Sequence, residues 1–335
     1  MPPLKKYLAL GIFFFVLLLT GCVATPPAVV ASTAAALPVS SPTLIASTPT
    51  SQPTSTAAPQ SFDGQKALDD VAYQVSLGAR IPDSTAHQQV ENWIVNEIKS
   101  AGWQAEMQND TVMGHPVHNI IAKYGQGRPW VVVAAHYDSR LKADQDTDPQ
   151  KRNQPVPAAN DGASGVAVLL ELARILPTHI GGDMGTSNAG YRQIWLVFLD
   201  AEDNGDIPGW DWILGSKSFV ASLQDKPDAA VVIDMIGDAN LDIYEELNSN
   251  PKLTSQIWGE ANNLGYSQYF IPQTKYRMLD DHIPFIDAGI PAVDVIDFDY
   301  PYWHTTADTP DKVSAQSMKV VGDTLMAWLL APADP

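Results

Sequence analysis

The sequence predicts an α/β fold: one three-layer α/β/α domain around a mostly parallel, twisted sheet. Three observations carry that prediction. Short runs that are apolar throughout, such as Trp130–Ala135 and Ala229–Ile233, alternate with stretches of helical periodicity. The runs show no apolar–polar alternation, so the strands they form are covered on both faces, as in parallel sheets. Histidines and carboxylates follow the runs, where open α/β sheets place their ligands.

The elements follow in order. Asp63–Leu77 and His87–Ala101 repeat apolar residues at helical spacing. Val117–Tyr124 and Trp130–Ala135 read as strands, Gly165–Leu176 as a helix and Ile194–Leu199 as a strand. Ser216–Leu223 reads as a helix, Ala229–Ile233 as a strand and Leu253–Leu264 as a helix. Ala292–Ile296 is a strand, and Ser314–Leu330 a last helix.

The 335 residues divide unevenly. Residues 1–21 have Lys5 and Lys6 and then an apolar run from Tyr7 to Leu19, the pattern of a secretory signal. The run ends in Leu19-Thr20-Gly21-Cys22, which resembles a bacterial lipobox. Cys22 is the only cysteine, so no internal disulfide can form, and lipid attachment is its expected role. Residues 22–61 are rich in Pro, Ser, Thr and Ala and read as a disordered tether. Residues 62–333 form the expected catalytic domain. The chain is thus expected to be exported and lipid-anchored to a bacterial cell envelope, as a monomer. Net charge is −18, and loss of residues 1–21 removes two Lys and no acid, leaving −20. A surface so acidic argues against nucleic acid as a partner.

Five segments deliver His or carboxylate to one sheet edge. His136-Tyr137-Asp138 follows the second run, and Asp200-Ala201-Glu202-Asp203 follows Ile194–Leu199. Asp234 follows Ala229–Ile233, His304 lies beyond Ala292–Ile296, and Asn160-Asp161-Gly162-Ala163-Ser164-Gly165 precedes a helix. Singly, each has a plain alternative: a helix N-cap for Asp161, a turn residue for Asp234, a strand-end histidine for His136. Together they indicate a His/carboxylate metal centre, with zinc the best fit. Asp138, two residues from His136, is placed to orient a metal-bound imidazole. Glu202 and Asp203 can serve one centre only if the strand has ended and the chain turns, and Asn204–Gly209 supplies turn residues. One acid can then bind metal and the other act as base. His87, His115, His118 and His179 read as structural or surface.

These motifs, with Gly78-Ala-Arg80-Ile-Pro82 ahead of them, resemble metallopeptidase family 28, which contains zinc aminopeptidases and glutaminyl cyclases. The resemblance implies a zinc-exopeptidase-like fold. It implies Asp161 as the central ligand, Asp203 and His304 completing one zinc site, and His136 and Asp234 completing a second. It makes Glu202 the proton-shuttling base, with Asp280 and Asp234 in its acid network. The Glu-Asp pair at 202–203, where aminopeptidases usually have Glu-Glu, is similar to bacterial cyclases. So are the insert with Trp210 and Trp212, the stretch Asp280-Asp281-His282-Ile283-Pro284-Phe285, and Trp303 before His304. Trp303, Trp210, Trp212 and His282 are therefore candidates for the substrate pocket, with core packing the alternative for the Trp residues. The resemblance implies action on peptide N-termini. The first expectation is glutaminyl-peptide cyclotransferase activity with one zinc. The second is an aminopeptidase with two, and the third a binding lipoprotein that has lost catalysis.

Overall fold

A computed structural model describes residues 61–180 and 193–331. The signal segment, Cys22 and all but the end of the tether lie outside them. Six strands form the central sheet in the order β1-β2-β4-β3-β5-β8. These are β1 (Gln104–Val112), β2 (His115–Gly125), β3 (Trp130–His136), β4 (Gln193–Leu199), β5 (Ala229–Asp234) and β8 (Ala292–Ile296). The β4-β3-β5-β8 half is parallel. Its runs are apolar except for Asp294 in β8, and every residue of β3, β5 and β8 is buried. Register aligns its carboxyl ends: His136 pairs with Leu199, and Asp234 with Ile296.

One face carries α1 (Gly64–Ser76), α2 (Thr85–Ser100), α3 (Ala163–Ile180), α5 (Pro251–Asn263) and α7 (Ala315–Leu330), packed over the larger core. The other carries α4 (Leu214–Ser222) and α6 (His282–Asp287) over a smaller one. Among the described residues α3 alone is long and apolar enough to cross a membrane, but it is a core helix here, buried along most of its length. Its first turn presses onto the sheet between β3 and β5. A Cβ on Gly165 would fall 2.8 Å from the Ala135 Cβ and 2.9 Å from the Ile233 carbonyl, so glycine is needed there.

The expected elements are all present. The sequence reading missed β1, the short parallel pair β6 (Ile243–Glu245) and β7 (Phe270–Thr274), and α6. β1 is a polar, largely exposed edge strand, so it shows no apolar run. It joins β2 through Met113 and Gly114, both at positive φ (52° and 87°), as a two-residue hairpin turn requires. That hairpin and the β2–β4 pairing make this half of the sheet antiparallel.

Candidate metal centre

The carboxyl ends of the parallel strands build the site. His136 ends β3 and is buried. Its Nε2 lies 3.1 Å from Asp161 Oδ1 and 3.2 Å from Asp234 Oδ1. Gly162 makes room for the imidazole: at φ +94°, a Cβ there would fall 2.9 Å from the ring. On the other side, His304 Nε2 lies 2.8 Å from Asp203 Oδ1 and 3.6 Å from Asp161 Oδ2. Asp161 thus turns one oxygen to each histidine.

The chain turns sharply after β4. Ala201 has φ 52°, so the strand has ended before Glu202. Asp138 fixes the turn: its carboxylate accepts from Glu202 N at 3.0 Å, Asp203 N at 3.3 Å and Asn204 Nδ2 at 3.3 Å. The same carboxylate lies 3.4 Å from His136 Nδ1. Asp138 therefore orients the imidazole and sets both acids toward one cavity. Neighbouring residues thus line one cavity.

That cavity, of about 200 Å³, is lined by Asp161, Glu202, Asp203, Asp234, Asp280 and His304 among others. Its walls include Trp212, Trp303, Phe298, Met235, Met278 and Leu279. His304 sits between two indoles: Trp303 stacks on it at 3.8 Å, and Trp212 lies parallel at 6.0 Å. Gly205 lets Trp212 in, since a Cβ there would overlap the indole.

Two expected pocket residues sit elsewhere. Trp210 stacks on His115 at 3.6 Å and packs against the Val117–Ala201–Leu214 cluster, outside the cavity lining. His282 is wholly buried at the start of α6, between Glu246 (3.2 Å) and Asp294 (3.6 Å), and is not part of the cavity lining. The sequence reading also missed Arg140. Its guanidinium donates to the carbonyls of Asp203 (2.8 Å) and Gly205 (3.1 Å) and to Asp144, whose carboxylate lies 3.5 Å from His304 Nδ1. Arg140 stands two residues from Asp138, and that proximity was its only signal in the sequence.

The electrostatics expose a shortage of positive charge. Burial pushes Glu202 well above the usual carboxylate range, against the pull of His136 and with the help of Asp203, Asp280 and Asp281. Burial and Asp161 raise Asp203 to about 6, despite His304. Burial, Asp161 and Asp280 raise Asp234 to about 7, despite His136. Asp161 Oδ2 and Asp203 Oδ2 are buried and meet no hydrogen-bond donor. Such carboxylates are costly unless a cation joins them. His136, Asp161 and Asp234 form one candidate triad, and Asp161, Asp203 and His304 another. In each, ligand atoms lie within 4.8 Å of one another. The N/O donor set and the orphaned oxygens fit zinc.

Residues 119–329 match the family model described as peptidase family M28. The chain belongs to this family. It is an enzyme fold shared with glutaminyl cyclases and zinc exopeptidases. A glutaminyl-peptide cyclotransferase-like protein from Bos taurus is 25% identical over 267 residues, covering 70% of this chain and 67% of that protein. The Porphyromonas gingivalis glutaminyl cyclase structure is 32% identical, with a TM-score of 0.72, over 80% of this chain and 98% of its own. A Zn-dependent exopeptidase from Parabacteroides distasonis is 29% identical, with a TM-score of 0.74, over 82% of this chain and 99% of its own.

Proposed function

We propose that this enzyme is a zinc-dependent glutaminyl-peptide cyclotransferase acting on peptides with an N-terminal Gln. The observation that carries the reading is the small, indole-walled cavity that holds Glu202 beside the Asp161–Asp203–His304 triad. Similarity to glutaminyl cyclases over four fifths of the chain supports it. Asp161, Asp203 and His304 would hold one zinc ion, which supplies Lewis acidity toward a carboxamide oxygen. Glu202 takes the proton of the attacking α-amine and returns one to the leaving nitrogen. The new bond joins the α-nitrogen to the γ-carbon, the carboxamide C–N bond breaks, and ammonia leaves. A carboxyl pushed upward by burial suits that exchange, because burial favours the protonated form that the reaction passes through. Asp234 and Asp280 line the same cavity and complete the acid network around Glu202. Trp212, Trp303 and Phe298 limit the room for water, which as nucleophile would give hydrolysis instead.

One observation favours a second reading. The His136–Asp161–Asp234 triad can hold a second ion, as an aminopeptidase with a metal pair needs. Mass spectrometry of a Gln-initiated peptide after incubation separates the two. Loss of one ammonia supports the cyclase. Loss of the whole first residue, with two zinc ions per chain, overturns it. We also infer that residues 62–333 act at a membrane through lipid on Cys22, a reading the lipobox-like stretch supports. A Cys22→Ser chain that stays in the membrane fraction would refute it.

A further inference from the structure

Arg80 belongs to the Gly78–Pro82 stretch, which the proposed chemistry leaves without a role. It is wholly buried. Its Nε donates to the Tyr137 carbonyl (2.9 Å), its Nη1 to Pro157 (3.1 Å) and its Nη2 to Ala158 (2.6 Å). Ala158 has φ 60°, a left-handed conformation that a residue with a Cβ holds only when its surroundings fix it. Asp308 is wholly buried as well and takes the same loop from the other side. Its Oδ1 accepts from Asn160 N at 2.8 Å and its Oδ2 from Asp161 N at 3.1 Å, while the Tyr300 hydroxyl donates to Oδ1 at 2.6 Å. A cation thus holds the loop's carbonyls and an anion its amides. Between them the loop delivers Asp161, with Oδ1 toward His136 and Oδ2 toward His304.

We propose that Arg80 and Asp308 are positioning residues that fix the 157–161 loop so that Asp161 presents one oxygen to each triad, with Tyr300 setting the Asp308 carboxylate. The inference rests on the zinc part of the proposed function. It predicts that metal affinity falls at both triads together, because the carboxylate they share is turned. A residue touching one histidine, such as Asp144, can weaken only one.

The test is zinc competition against a chelating dye, using the full chain. Asp308→Asn and Arg80→Lys are made in His136→Gln and His304→Gln backgrounds, each of which leaves one triad. Expected is a loss of about 10–100-fold in zinc affinity in both backgrounds, as for other residues that orient metal ligands. Tyr300→Phe removes one hydrogen bond and should cost on the order of threefold. It carries the test if the buried-charge variants do not fold. A merely structural role would lower the melting temperature of the zinc-free protein and leave the affinity of the folded fraction unchanged. That result overturns the proposal, and so does a loss confined to one background. If wild type binds no zinc in either background, the zinc reading and this proposal fall together. If it binds zinc and the folded variants bind as tightly, only the positioning role falls.

Discussion

Two buried histidine–carboxylate clusters lie three residues apart beyond β4, and they differ in what completes them. Asp200 is fully met by the protein. His87 Nε2 at 2.7 Å and Ala201 N at 2.8 Å reach one oxygen, and His118 N at 2.8 Å the other. Asp203 has His304 at one oxygen and no donor at the other, and Asp161 is likewise short by one. Asp297, just past β8, belongs with Asp200: backbone amides of Asp299 and Asp242 meet its two oxygens. A strand-end acid is therefore only a position. Asp161 and Asp203, in the candidate triads, are short of donors where Asp200 and Asp297 are not.

The sharpest way to break the comparison is to remove the ion. A chelator should abolish turnover and zinc should restore it, while the His87–Asp200 pair, which needs no ion, keeps the fold cooperative. Full activity in a zinc-free sample verified by elemental analysis would end the metal reading. Glu202→Gln comes next. It should lower kcat by about 10²–10⁴-fold, the usual range for a lost proton-transfer group, with zinc affinity nearly unchanged. A variant that loses zinc instead would make Glu202 a ligand rather than a base.

His87→Ala probes the other cluster. It leaves a buried carboxylate without its charged partner, which costs about 3–5 kcal/mol. The melting temperature should fall by on the order of 10 °C. Zinc affinity should not move, because no ligand touches His87. If affinity falls in step with stability, the two clusters are one network and the distinction fails.

The same contrast explains what the sequence could disclose. The largely apolar runs of β3, β4, β5 and β8 announce the sheet; His136 and Asp234 end its strands, and the adjoining loops bring Asp161, Glu202 and Asp203 to the same edge. Trp303 and Trp212 reach the cavity because each is chained to a site residue, Trp303 by adjacency to His304 and Trp212 by the Gly205 contact. Trp210 had the same local context as Trp212, but it stacks on His115 instead. Which way an insert turns depends on tertiary packing that no periodicity records. His282 looked like a pocket residue because the stretch Asp280–Phe285 resembles a cyclase loop, yet α6 begins there and His282 is wholly buried. Arg140, Arg80 and Asp308 act through backbone carbonyls and amides brought from distant segments, and such partners leave no spacing to read.

The smallest effect concerns Asp297. Burial raises its carboxyl to about 7, with the charges of Asp238 and Asp242 adding to burial and the two amide hydrogen bonds opposing it. The folded value stands above the ordinary 3.8, so between those two pH values the native protein holds a proton that the unfolded chain has released. Stability from this group is greatest below about pH 4 and declines as pH rises through 7. Asp297→Asn stays neutral throughout. The melting temperature of wild type minus that of the variant should therefore shrink as pH rises from 4 to 8. Near pH 4 the change should be smaller than that of His87→Ala, because the native carboxyl is neutral there and Asn loses neither charge nor packing. Parallel melting curves across that range would show that a donor-satisfied carboxylate titrates normally here. Donor count, without burial, would then separate Asp200 and Asp297 from Asp161 and Asp203.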